Sequence, residues 1–279
     1  MHNRRRNLLI LAVASNGTAL LTVAMSWQWR EFVAYEAWEG IVFGLTSGQA
    51  VLAGVLAALG SLRTVVRIPL AALWLILAFW CLLFQVDGGD RDPVQALMLG
   101  GTMVAQMLLI QLLLMAVCAV KRSRLTTPQS TLAAPGIWGY QFGIRQLLLL
   151  TTGIAAVMGL LRWTAPDLRL DGSHRIYWFD IVLLSLIATY SAVLSLPLVL
   201  ALLIPHRPTI AVVTALALAV VATLSEQYLY RRTGVNPGGS LNFFWWLNGM
   251  ECLLVLVNLL LARLAGYRLM PPSLTGPAL

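Results

Sequence analysis

Eight long runs of apolar positions, separated by short polar connections, dominate the pattern of this chain. They can be drawn at about 7–27, 41–62, 68–86, 94–120, 142–161, 181–204, 208–225 and 243–262, each close to the roughly 20 residues a helix needs to cross the hydrocarbon of a bilayer. They lack the apolar–polar alternation of membrane-barrel strands, and in hydrocarbon a helix satisfies its own backbone amides. The expected fold class is therefore all-α: a polytopic membrane helix bundle, eight predicted transmembrane helices in a single membrane domain over 1–279.

Composition agrees with the pattern. Apolar residues make up 59% of the chain and charged residues 11%, a balance foreign to a soluble globular domain of this length. At the amino end Arg4, Arg5 and Arg6 precede an apolar stretch from Leu8 to about Met25. It is long enough to span, and no small-x-small cleavage site closes it, so it reads as a first span and not as a removed leader.

Charge orients the bundle. Arg4, Arg5, Arg6, Arg63, Arg67, Lys121, Arg122, Arg124, Arg145, Arg207, Arg263 and Arg268 fall on one side, with no acid among them. The other side holds seven arginines together with Glu31, Glu36, Glu39, Asp87, Asp90, Asp92, Asp167, Asp171, Asp180 and Glu226, which leaves Glu251 as the single acid inside an apolar run. Twelve positive residues against seven make the acid-free side cytoplasmic and place both termini there. Trp27, Trp29, Trp38, Trp163, Trp178, Trp245 and Trp246 gather at the opposite boundary, where amphipathic rings anchor a helix.

The fifth run is the shortest, with an apolar core from Leu147 to Leu161 that covers only about 22 Å at the helical rise. If 142–161 did not cross, seven spans would remain and everything after it would invert. Acids would then lie inside, and the eight-span reading avoids this. The connection 121–141, with Pro128 and Pro135, is the longest cytoplasmic one and divides the chain into four-helix halves, 1–124 and 142–268. Each half opens with basic residues before an apolar run that closes on a tryptophan. Shared membrane physics accounts for that likeness as well as a repeat does.

Phe142, Ile144, Arg145, Leu147, Leu148 and Thr151 form a Phe-x-Ile-Arg-x-Leu-Leu-x-x-Thr segment. It resembles one recurrent in uncharacterised multi-spanning membrane proteins of planctomycete bacteria. Ser47-Gly48-Gln49-Ala50, followed by Gly60, Arg63 and Arg67, is similar to a second-helix pattern in such proteins. The resemblance covers under a quarter of the chain. It implies a multi-pass protein of the bacterial cytoplasmic (inner) membrane and supports a helix at the fifth run. It implies no activity, ligand or catalytic residue.

Glu251 is the first candidate for chemistry. It sits about eight residues into the last helix, roughly 12 Å below the outer end, where an ionised carboxylate costs several kcal/mol. It must face protein or water. Asn248 and Asn258 share its helical stripe. Gln49, Tyr190 and Glu251 lie about eight to nine residues below their outer ends, Gln106 lies a turn deeper, and Asn16 sits near the middle of the first helix. A polar layer is expected there, to which Ser185, Thr189, Ser191 and Ser195 add hydroxyls, with Pro197 freeing a carbonyl. The candidate intramembrane polar site is thus Glu251, Asn248, Asn258, Gln49, Gln106 and Tyr190. Two roles compete for it: interhelical glue made by a carboxyl that keeps its proton, and a proton- or cation-linked path for a small solute.

Other chemistry lacks its residues. His2, His174 and His206 stand in three separate places without ligand-spaced partners, so no metal site is expected. Cys81, Cys118 and Cys252 lie inside apolar runs and read as small core residues. No nucleophile elbow, phosphate-binding glycine loop or His-Glu-x-x-His pattern occurs. The outer loops 162–180 and 226–242 mix both charge signs with aromatics and read as solvated, self-paired surfaces. No cofactor, no nucleic acid and no enzyme activity are expected; the bilayer is the partner, with a second membrane protein or a further copy of the chain as the other candidates. The resulting expectation is a non-enzymatic membrane protein with a structural or partner-binding role, the alternative being a transporter that uses Glu251.

Overall fold

The computed structural model describes residues 2–25, 28, 35–59, 64–86, 93–121, 124–126, 188–199, 208–233 and 241–270. The helices are α1 (His2–Met25), α2 (Tyr35–Leu59), α3 (Thr64–Val86), α4 (Pro93–Lys121), α5 (Ala188–Val199), α6 (Pro208–Thr233) and α7 (Leu241–Leu264). Two short strands accompany them, β1 (Arg124–Thr126) and β2 (Arg268–Met270). The predicted fifth run, the linker 127–141 and the outer loop 162–180 lie outside the described residues, as does the side chain of Cys118.

Five helices among the described residues, α2, α3, α4, α6 and α7, are long and apolar enough to cross a membrane. The chain is thus a membrane-embedded helical protein. Its outer surface agrees: Leu73, Leu77 and Trp80 on α3, and Val213, Leu216, Val221 and Leu224 on α6, are large apolar residues turned away from the protein, as lipid-facing positions are.

Contacts between named residues set the directions of the helices. Gly40, Gly44 and Gly48 of α2 meet Phe243 to Leu247, Leu247 to Met250, and Glu251 to Leu254 of α7 in turn, so these two helices run parallel. Ser47 and Gly54 of α2 meet Gln106 and then Met107 and Ile110 of α4. Ser191 of α5 meets the same level, while Leu198 and Val199 join Ala58, Leu114 and Leu259 one layer on. Helices α2, α4, α5 and α7 are therefore mutually parallel. Helix α3 runs against them, with Trp74 on Gln49 and Ala71 beside Ala53 and Ala57. So does α6, with Ala219 beside Cys252 and Thr223 on Asn248, and so does α1, where Asn16 meets Asn258 and Val23 packs with Val42 and Leu45.

The α2–α7 seam is the closest approach. A Cβ placed on Gly40 or Gly44 would sit 2.5 Å from the carbonyl oxygen of Phe243 and 2.4 Å from that of Leu247. Glycine at every fourth residue lets the two backbones touch, which is how helices gain dispersion contact in lipid, where no hydrophobic force drives them together. Gly100 of α4 makes a similar close approach against Phe79 of α3, whereas among the described residues nothing lies near Gly101.

At the far end of the parallel set, β1 and β2 pair antiparallel, with Arg124 opposite Met270 and Thr126 opposite Arg268. This ribbon, not expected from the apolar pattern, ties the segment after α4 to the segment after α7.

Two charged residues expected in connections lie inside helices. Helix α3 begins at Thr64 and buries Arg67. Helix α6 continues to Thr233, eight residues beyond the predicted end at 225, and buries Glu226 at 3% exposure. Glu251 is therefore not the single buried acid. The helix continues because Glu226 falls on the same face as Ala219, Ala222 and Thr223, all buried, and Asn248 on α7 gives it a hydrogen-bond partner.

Candidate functional site

Glu251 has 0% exposure and both carboxyl oxygens occupied. Ser47 Oγ of α2 donates to Oε2 at 2.7 Å. On Oε1, Ser195 Oγ of α5 donates at 3.0 Å and Ser191 Oγ donates in a short contact. Behind the serines stands Gln106 of α4, whose Nε2 donates to both Ser47 Oγ and Ser191 Oγ; the two hydroxyl oxygens are themselves 3.4 Å apart. Because each hydroxyl has one proton, receiving a hydrogen bond from Gln106 leaves that proton free for Glu251. One amide thus aims two hydroxyls at one carboxyl, and a single polar layer joins four parallel helices.

The layer was legible, but its membership differs from expectation. Gln106 and Glu251 belong to it. Gln49 does not: it lies two residues from Ser47, about 200° around the helix, and its Oε1 accepts from Trp74 Nε1 at 2.8 Å on the α3 side. Its Nε2, fully buried, has no hydrogen-bond partner among the described residues. Tyr190 is half-buried in an apolar cluster with Leu194, Ala219, Ala222 and Cys252, and makes no hydrogen bond to Glu251. Ser47, one of the quoted second-helix residues, takes the place assigned to Gln49. The signal that could have found it is its register on the face of Gly40, Gly44 and Gly48.

The stripe of α7 serves four neighbouring helices, Glu251 alone reaching α2 and α5. Asn248 Nδ2 donates to Glu226 Oε2 at 2.8 Å and to Thr223 Oγ1 at 3.1 Å, both on α6. Asn258 pairs reciprocally with Asn16 of α1, accepting from its Nδ2 and donating to its Oδ1 at 3.3 Å. Two buried carboxyls therefore stand one helical turn apart in level, with Asn248 between them. Among the described residues no group of three or more His, Cys, Asp or Glu that could hold a metal ion occurs. Cys252 is a buried free thiol and Cys81 a half-buried one.

Comparison of the chain with family models, curated proteins and solved structures returned no match. The class that fold and site define, a membrane-embedded helical protein with an internal polar layer, rests on the residues alone.

Proposed function

We propose that the chain is a multi-pass protein of the bacterial cytoplasmic membrane that crosses it eight times, keeps both termini inside and has a structural or partner-binding role without enzymatic activity. The parallel course of α4 and α5 supports eight crossings. Two helices that run the same way start from the same face, so an odd number of crossings separates them, and one crossing by 142–161 supplies it. The β1–β2 ribbon supports the same count, since seven spans would put the ends of α4 and α7 on opposite faces. The acid-free sequence pattern makes the shared face cytoplasmic.

The structural role rests on one observation, the complete enclosure of Glu251 by hydroxyls that Gln106 aims at it. Interhelical hydrogen bonds of this kind contribute about 0.6–2 kcal/mol each in a membrane and hold register between helices that lipid alone would let slide. In sodium-free detergent, Glu251→Gln, which keeps shape and most hydrogen-bonding capacity, should leave thermal stability nearly unchanged. Glu251→Leu should cost about 1–3 kcal/mol, because the hydroxyls lose their acceptor. Equal stability of the two variants would remove the structural role.

A second reading, proton- or cation-linked transport of a small solute, is favoured by Glu226. With Asn248 it extends the buried polar stripe from Glu251 toward the predicted outer end. A Glu251→Gln protein as stable as wild type, whose reconstituted vesicles lose a wild-type pH-dependent flux, would select this reading.

A further inference from the structure

We propose that the Glu251 layer is a binding site for one monovalent cation of sodium's size, which goes beyond its structural role. Six oxygens converge there from four helices: both carboxyl oxygens of Glu251, the hydroxyls of Ser47, Ser191 and Ser195, and the amide oxygen of Gln106 once that amide is turned about. Amide nitrogen and oxygen exchange places by one side-chain rotation. The serine hydroxyls can likewise turn their protons onto backbone carbonyls one turn back, as Thr46 already does onto Val42. The donors that now fill the layer thereby become a hard, all-oxygen shell of the kind that alkali and alkaline-earth ions prefer over transition metals.

Charge selects among such ions. The shell carries a single carboxylate, and among the described residues no cationic side chain pairs with any of its six oxygens. One positive charge makes it neutral, whether brought by a proton or by a monovalent ion, whereas a divalent ion would leave an uncompensated charge in the membrane interior. Size selects further. The oxygen–oxygen separations of 2.7, 3.0 and 3.4 Å are hydrogen-bond lengths at or below the roughly 3.4 Å edge of an octahedron with cation–oxygen distances near 2.4 Å, the length typical of calcium and of sodium, which has nearly the same radius, so the layer opens by up to about 0.7 Å to admit sodium. A larger potassium ion requires the four helices to part further.

Protons and sodium then compete for one carboxyl. The other titratable groups around it are Tyr190 on α5, Glu226 on α6 and Cys252 on α7; among the described residues α2 and α4 bring none to this level. None of these can carry a positive charge that would replace the cation.

The test uses the purified full chain in detergent at pH 8 in choline chloride, with equilibrium binding of radioactive sodium and thermal unfolding as readouts. We expect one saturable sodium site per chain and a Tm that climbs about 3–5 °C for each tenfold of sodium above its dissociation constant. Potassium at equal ionic strength should give no such climb, and the apparent sodium affinity should fall by up to about tenfold per unit drop in pH. Glu251→Gln should abolish saturable binding. Ser195→Ala, which removes one hydroxyl at the edge of the layer, should weaken it about tenfold and decides the matter if the Gln variant does not fold. Equal Tm in sodium and choline, equal effects of sodium and potassium, or sodium binding undiminished in both variants would overturn the proposal. An unstable Glu251→Gln protein in choline would instead count against the structural role, so the two failures are distinct.

Discussion

Gly44→Ala is the most direct test of the α2–α7 seam. The added methyl would lie 2.4 Å from the carbonyl oxygen of Leu247 and 3.0 Å from Met250 Cβ, about 0.9 Å inside the closest ordinary C–H···O contact of roughly 3.3 Å. The obstacle is backbone, so no rotamer change relieves it and the helices must part by about that distance. The Ser47–Glu251 hydrogen bond, one turn further along the same seam and now 2.7 Å long, would then stretch to about 3.6 Å, where it no longer counts as a bond. Overpacking costs typically 1–3 kcal/mol and the lost buried bond about 1 kcal/mol. Alanine returns up to about 1 kcal/mol of helix propensity. The net loss is roughly 1–3 kcal/mol. Gly101→Ala and Gly249→Ala, where among the described residues nothing lies within 4 Å, carry only the propensity gain and serve as controls. The assay is reversible denaturation in mixed micelles, or thermal unfolding in detergent where reversibility fails. Equal stability of Gly44→Ala and Gly101→Ala would refute close α2–α7 contact.

Other outcomes follow from the same geometry. Asn248→Leu should destabilise by about 1–3 kcal/mol in the same denaturation assay, since Glu226 and Thr223 both lose its N–H groups inside the protein. Trp74→Phe should cost a similar amount because it leaves the fully buried Gln49 amide without its one hydrogen bond; adding Gln49→Met should recover part of the loss, a non-additivity that a double-mutant cycle measures. For topology, single cysteines at Asp90, His174 and Asn236 should label from outside with an impermeant thiol reagent, and cysteines at Ser123, His206 and Gly266 should not. Labelling at Asp90 and Gly266 without His174 would establish seven spans.

Much of this architecture can be read from the chain because a bilayer imposes a one-dimensional rule. A segment that cannot hydrate its amides must be helical and about 20 residues long, so each of α2, α3, α4, α6 and α7 coincides with an apolar run, and α3, α4 and α7 match theirs within a few residues. The ends are where the reading slips. Tyr35 to Gly40 extend α2, and Glu226 to Thr233 extend α6, because a helix does not stop where hydropathy falls but where its backbone bonds find other partners. Glu226 was lost to a loop for that reason.

What the residues determine alone is that long apolar helices recur along the chain and that Glu251, within one of them, must have partners. Which partners it has is a matter of rotation and lateral order, and apolar periodicity is silent on both when lipid and protein interior are equally apolar. Tertiary packing turned α2 so that Gly40, Gly44, Ser47 and Gly48 face α7 while Gln49 faces α3, brought Gln106 and two serines of α5 to the same level, and set Asn248 against Glu226. Those choices come from backbone contact at glycine and from the need of each buried polar group for a partner, and both depend on neighbours far away in the chain.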